Sequence, residues 1–262
     1  ATIRHLPLEE GNDFFAVLDR AVANSHPTPK ALVLNFPANP TAEVVDLAFY
    51  KEAVAYAKRH DIILLSDLAY SEIYFDDSAA PPSILQIDGA KDVAVEFTSL
   101  SKTFSMPGWR MGFAVGNERL IAALTRIKSY LDYGAFTPIQ VAASAALDSP
   151  EEVIRDIRYV YKERRDVLID VFSRAGWDVP SPQATMFAWA RIPPLFEGMT
   201  SLEFSSLLLQ EADIAVSPGI GFGEYGDNHV RIALVENEQR TRQAGRNLRR
   251  FIEEHSEKRK TA

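Results

Sequence analysis

The stretch Glu96–Gly112, EFTSLSKTFSMPGWRMG, sets one lysine, Lys102, just past a run of alternating apolar residues. Ser99 and Ser101 stand before it, and a Gly-Trp-Arg ending in Arg110 follows. Taken alone, a lysine beside a strand end points to solvent. These neighbours make a different site. The two serines offer hydroxyl donors and Arg110 a planar, permanently charged fork, together a good place for a phosphate. A lysine beside a phosphate site suggests an amine that reacts with a phosphorylated carbonyl compound, which is Schiff-base chemistry. Pyridoxal 5′-phosphate is the cofactor that this chemistry points to.

Working outward, four apolar runs read as buried strands: Lys30–Phe36, Asp61–Asp67, Asp92–Thr98 and Gly112–Gly116. Asn12–Asn24 reads as a helix with a polar cap. Val44–His60 reads as an amphipathic helix with Leu47, Tyr50, Val54 and Ala57 on one stripe. The prolines of PANPT break the chain between strand and helix. Strand, loop, helix, strand in this rhythm implies an α/β layer with a mainly parallel sheet. Ligands of such sheets sit beyond the carboxyl ends of the strands. Asn39, Asp67 and Ser99–Lys102 all fall just after strand ends.

Later the pattern changes. Helices are expected at Asn117–Tyr133, Thr137–Leu147, Ser149–Gly176 and Ser201–Ala212, and from Asn237 onward. Pro138 suits a first helical position. Strands are expected near Met186–Arg191, Ile214–Ser217 and His229–Leu234. The expected domain boundary lies in or beside the long helix, giving residues 1–150 and 151–262.

Further residues fit the same chemistry. Asp67 closes IILLSD, where an unpaired buried carboxylate is costly. It caps a loop, or it faces the cofactor ring nitrogen and keeps its proton on. Tyr70 is either a core aromatic or a phenol bonded to the cofactor's ring hydroxyl. Asn39, between prolines, is a turn residue or a second donor to that oxygen. Arg231 follows the glycine-studded SPGIGFGEYGDNHVRIAL and forms a surface ion pair or clamps a substrate carboxylate bidentately. That glycine pattern is no dinucleotide fingerprint.

Composition narrows the function classes. The chain has 262 residues, 47% hydrophobic and 24% charged, with no cysteine and a net charge of −8. The charge disfavours a nucleic-acid or anionic-membrane surface. No apolar run approaches the roughly 20 residues of a membrane span, and no signal peptide is visible. The missing cysteines fit a cytoplasmic protein. Arg240–Arg250 is basic and reads as one solvated helix face. The five histidines show no ligand spacing, so no metal site is expected.

NFPANPT, SDLAYSEIY, SLSKTFSMPGWRMG and PGIGFGEYGDNHVRIAL, in this order and spacing, resemble the fold-type I pyridoxal-phosphate-dependent aminotransferases of class I/II. The likeness runs from about Ala31 to the C-terminus. It implies that Lys102 is the Schiff-base and proton-shuttling lysine, and that Asp67 pairs with the pyridinium nitrogen. Asn39 and Tyr70 bond the ring oxygen. Ser99 and Arg110 hold the phosphate, with Ser101 a weaker candidate, and Arg231 binds the substrate carboxylate, with Asn39 also on the substrate side. It also implies a cis Asn39–Pro40 bond, and a homodimer with its active sites at the subunit interface.

Within the family, the chain looks most like the bacterial alanine (glutamate–pyruvate) aminotransferases. The LL-diaminopimelate, methionine and aspartate enzymes are the alternatives. Two glycines usual in the family are replaced, one by Ala42 and one within SPQATMFAWA. The family's first stretch of large domain is absent, so the chain looks like about the C-terminal two-thirds of an aminotransferase. The fold expected is therefore the remainder of a three-layer α/β/α large domain plus a smaller α/β domain. Competing readings are an inactive fragment, a cofactor-binding sensor domain, and a lyase or decarboxylase of the same fold.

Overall fold

Residues 31–116 alternate apolar runs with helix-forming stretches. The computed structural model, which describes residues 2–6 and 13–261, turns that rhythm into a four-stranded sheet. Strands β1 (Ala31–Asn35), β2 (Ile63–Asp67) and β3 (Ala94–Ser99) run parallel, and β4 (Gly112–Gly116) returns antiparallel beside β3. Asn35 pairs with Asp67, and Asp67 with Phe97. The three parallel strands therefore finish nearly level at their carboxyl ends.

Helix α1 (Phe14–Ala23) starts at Asp13, whose carboxylate accepts from the Phe15 and Ala16 N–H groups. Asn12, expected in this helix, lies outside the described residues. Helix α2 (Leu47–His60) starts three residues later than Val44, because Asp46 caps it by accepting the Phe49 N–H at 2.8 Å. Leu47 is the first residue of the helix and is 45% exposed, so it drops out of the buried part of the expected stripe. The buried face is instead Tyr50, Ala53, Val54 and Ala57, packed with Leu34 and Leu64 in the first core. Strands β1 and β2 are buried on that face only, while β3 begins buried on both. Leu34 is closed off while Val33, its neighbour, is 65% exposed, since successive strand residues point to opposite faces.

After β3 comes a short helix, α3 (Leu100–Thr103), that the sequence reading did not anticipate. Helices α4 (Glu118–Leu131), α5 (Thr137–Leu147) and α6 (Glu151–Arg174) follow. Pro138 takes the second position of α5, not the first. Gly176 ends the long helix with φ 94°, a left-handed turn that glycine adopts without strain. A second sheet joins β5 (Phe187–Arg191), β6 (Ser217–Pro218) and β7 (His229–Ala233), all antiparallel, in the order β5-β7-β6. Ile214 was expected in β6, but it serves the second core and the ladder begins only at Ser217. Helices α6, α7 (Ser201–Ala212) and α8 (Glu238–Thr261) pack this core through Phe172, Phe204 and Phe251. The chain is α/β, as expected.

The segment after β2 ties the two sheets together. Ile73 and Phe75 are buried in the second core, although they follow Asp67 of the first sheet by only a few residues. Thr185 N–H donates to the Ile73 carbonyl at 2.7 Å, and Phe75 N–H to that of Gln183 at 3.1 Å. From α6, Arg158 clasps the same segment. Its Nε donates to the Glu72 carbonyl at 3.2 Å, and its two Nη atoms to the Glu72 and Asp77 carboxylates at 3.3 and 3.1 Å. Its guanidinium lies over the Tyr74 ring at 3.7 Å.

R158A removes several charge-assisted bonds while leaving acidic partners that reach solvent, so it should cost about 1–3 kcal/mol of stability. Urea unfolding should show the lower midpoint, with R158K recovering only part of it because an ammonium lacks the planar fork. An unchanged midpoint in R158A would contradict the clasp.

Candidate active site

The level ends of β1, β2 and β3 place Asn35, Asp67 and Ser99 along one edge of the sheet. A cavity of about 340 Å³ opens there, lined by Val33, Leu65 and Phe97 on its apolar side and by Asp67 and Ser99 on its polar side. Asp67 Oδ1 accepts the Ala69 N–H at 3.2 Å, and its other carboxylate oxygen takes no hydrogen bond among the described residues. Asp67 thus does cap the local turn, yet it keeps an acceptor free toward the cavity it lines.

Ser99 caps α3, its hydroxyl accepting the Ser101 N–H at 3.1 Å. One turn on, Lys102 is half-buried, and its Nζ lies 5.7 Å from the centre of the Tyr70 ring. Tyr70 is buried and meets Phe187 edge-on at 5.5 Å. Burial pushes the Tyr70 phenol up; Arg231 pulls it back and Asp67 adds to the rise. The phenol therefore sits within electrostatic reach of both charges.

Arg110 stands apart from this cluster. The Leu100 N–H bonds to the Met111 carbonyl, which holds its backbone beside the Ser99–Lys102 turn. Its exposed side chain donates to the Pro107 carbonyl at 2.8 Å, and no hydrogen bond joins it to Ser99 or Ser101 among the described residues.

Arg231 comes from the other sheet and crosses to the first. Its Nη1 donates to Asn39 Oδ1 at 2.8 Å across 192 residues of chain, and its Nη2 to the Ser217 hydroxyl at 3.4 Å. Asn39 is itself steadied by Asn35, whose side-chain oxygen accepts the Asn39 N–H at 2.9 Å. Asn35 also donates to the Asp67 carbonyl at 3.3 Å. The Asn39–Pro40 peptide bond is cis, as the resemblance implied. Arg231 therefore forms no surface ion pair among the described residues. Its guanidinium lies between two aromatic rings, Phe187 at 4.2 Å and Phe222 at 4.6 Å.

Asn35, Ser217, Phe187 and Phe222 are site residues that the sequence reading missed. Asn35 closes β1 but sits inside the longer apolar run Lys30–Phe36 of the sequence, and gave no sign. The signal for Phe187 was two-residue alternation, which puts it on the same face of β5 as Trp189, the ladder partner of Arg231.

Comparison with known proteins fits this arrangement. The model of the family "Aminotransferase class I and II" matches residues 1–246. The chain belongs to the class I and II aminotransferases. AatC of Rhizobium meliloti, which is assigned as an aminotransferase, is 66% identical over 250 residues, covering 95% of this chain and 62% of AatC. The glutamate-pyruvate aminotransferase AlaC of Escherichia coli is 55% identical over 249 residues, covering 95% of this chain and 60% of AlaC. An aromatic aminotransferase structure from Pyrococcus horikoshii superposes with a TM-score of 0.87 at 30% identity, covering 96% of this chain and 67% of that one. The chain thus spans about 60% of the length of the curated relatives it matches. No helix among the described residues is long and apolar enough to cross a membrane.

Because burial raises the Tyr70 phenol, the folded state holds this proton more tightly than the unfolded chain. Its stabilising contribution is complete below the ordinary tyrosine range near pH 10 and is lost as pH rises through the elevated folded value. Ultraviolet difference titration of the wild type against Y70F should isolate one phenol that ionises above that range. A missing phenol that titrates at the ordinary value would contradict the burial.

Proposed function

We propose that this chain carries the reacting lysine, the ring-pairing carboxylate and the carboxylate-binding arginine of an aminotransferase. The reaction moves an amino group between an amino acid and a 2-oxo acid through pyridoxal 5′-phosphate, with alanine, glutamate and pyruvate as the substrates favoured. The observation that carries this reading is the cavity lined by Asp67 and Ser99, beside which Lys102 approaches Tyr70.

The residues present fit that cofactor. Val33, Leu65 and Phe97 offer apolar walls to a planar ring, and Asp67 has an uncommitted carboxylate oxygen for a ring N–H. Bound there, pyridoxal phosphate supplies an electron sink for the carbon that loses its proton. Lys102 would anchor it, and its amine would take the proton from the substrate Cα as general base and give it back as general acid. Asp67 would face the ring nitrogen and favour its protonated form. Asn39 uses Oδ1 for Arg231, which leaves its amide hydrogens to donate to the ring oxygen together with the protonated Tyr70 phenol.

Ser99 and Ser101 offer hydroxyls to the phosphate. Arg110 has donors left beyond the one given to Pro107. Arg231, pre-oriented by Asn39 and Ser217, takes the substrate carboxylate.

The preference for alanine and glutamate–pyruvate is supported by the identity to AlaC. The reading includes two domains meeting near residue 150, and a cytoplasmic homodimer. In such a dimer the apolar residues left exposed on and beside α4 and α5, such as Tyr130, Leu131 and Phe136, would find cover.

The test is pyruvate formation from alanine and 2-oxoglutarate, with the same assay run on diaminopimelate, methionine and aspartate. K102A should lose about 10³-fold or more of the rate. D67A should lose far more rate than cofactor affinity. Unchanged turnover in K102A would overturn the assignment, and a larger rate with another donor would overturn alanine.

A further inference from the structure

The glycine-studded loop before β7 has a job beyond connecting strands. Gly219 and Gly226 approach so closely that a Cβ on either would strike the other's carbonyl oxygen. The loop is fastened to the start of α7, where the Ser201 hydroxyl donates to Asp227 at 2.7 Å and accepts the Ile220 N–H at 3.1 Å. What this construction presents is Phe222, at the end of the turn Gly219–Phe222. Gly223 follows it with φ 129°, a conformation that side chains resist.

Phe222 keeps one side toward solvent, 37% exposed, and packs the other against the arginine site. Its ring lies 4.6 Å from the Arg231 guanidinium, which Phe187 also approaches, and stands edge-on to Trp189 at 5.9 Å. Beside these rings Arg231 Nε is buried with no hydrogen-bond acceptor among the described residues. Burial lowers the Arg231 pKa, as expected for a cation stripped of part of its water.

We propose that Phe222 is a positioning residue of the carboxylate site: its ring face caps Arg231, excludes water from the guanidinium and so strengthens its pairing with the carboxylate of the amino acid or 2-oxo acid. This rests on the reading of Arg231 given above. A guanidinium over an aromatic face gains by cation–π attraction, more when water is excluded. A less hydrated cation also forms a stronger ion pair with an arriving carboxylate. The substrate's carboxylate is common to every donor and acceptor, so Phe222 acts on all of them alike and leaves side-chain preference to other residues.

The experiment is calorimetric titration of this chain with pyruvate, using wild type, F222A, F222L, F222Y and R231Q. F222A should weaken binding about tenfold, the upper part of the cation–π range. F222Y should restore it. F222L should restore it only in part, since leucine keeps the apolar cover and lacks the ring face. In turnover, F222A should raise KM for amino acid and oxo acid by the same factor while kcat holds within about twofold, the pattern of an interaction equal in ground and transition states.

A role confined to folding the loop would let leucine serve as well as tyrosine, and that result overturns the proposal. Loss of pyruvate binding in R231Q with F222A unaffected also overturns it, while the carboxylate reading of Arg231 stands. Unchanged binding in R231Q overturns the underlying reading itself.

Discussion

Parallel pairing of β1, β2 and β3 is the constraint on which the functional side chains depend. Each strand enters from the same end, so each hands its next residues to the same edge of the sheet. Asn35, Asp67 and Ser99 occupy that edge because the register is fixed by the residues buried beneath it, Leu34 and Leu64 among them. A slip of one residue would turn Asp67 into the core and Leu64 toward the cavity. The chemistry of the site is thus held by packing on the opposite face of the strands.

The second requirement is that a residue from the other sheet reach this edge. Arg231 does so, and the bond to Asn39 joins parts of the chain 192 residues apart. Two features make the reach reproducible. The segment carrying Tyr70 continues into the second core through Ile73 and Phe75 and is clasped by Arg158. The aromatic rings of Phe187 and Phe222 pack against the Arg231 guanidinium. Tyr70 marks where the two halves meet, since its proton responds to Asp67 from one sheet and Arg231 from the other.

Much of this was legible in the sequence because local rules act on short stretches. The strands and the positions of Asn39, Asp67 and Lys102 after them follow from apolar runs ended by polar residues. Other features are set by distance in space. That Leu47 is exposed follows from its being the first residue of its helix, next to the Asp46 cap. That Arg110 points to Pro107 rather than to Ser99 depends on a left-handed backbone at Arg110, φ 55°, which no residue preference announces. One replaced family glycine is instructive here. Ala42 has φ 62°, so its turn keeps a glycine-like backbone without glycine. The fully buried Thr185, within SPQATMFAWA, also has a positive φ, 73°. At Thr185 the hydroxyl accepts the Phe187 N–H at 3.2 Å, a compensation that only the folded chain displays. The aromatic cover over Arg231 was equally hidden, because Phe187 and Phe222 belong to different elements.

The central claim is that the carboxyl edge of the first sheet presents Lys102 as the one amine that reacts with the cofactor. The measurement that tests it most directly is borohydride reduction of this chain mixed with pyridoxal phosphate, followed by peptide mass spectrometry. The account predicts a single phosphopyridoxyl group on the peptide that contains Lys102. Labelling spread over exposed lysines, with no preference for Lys102, would contradict it.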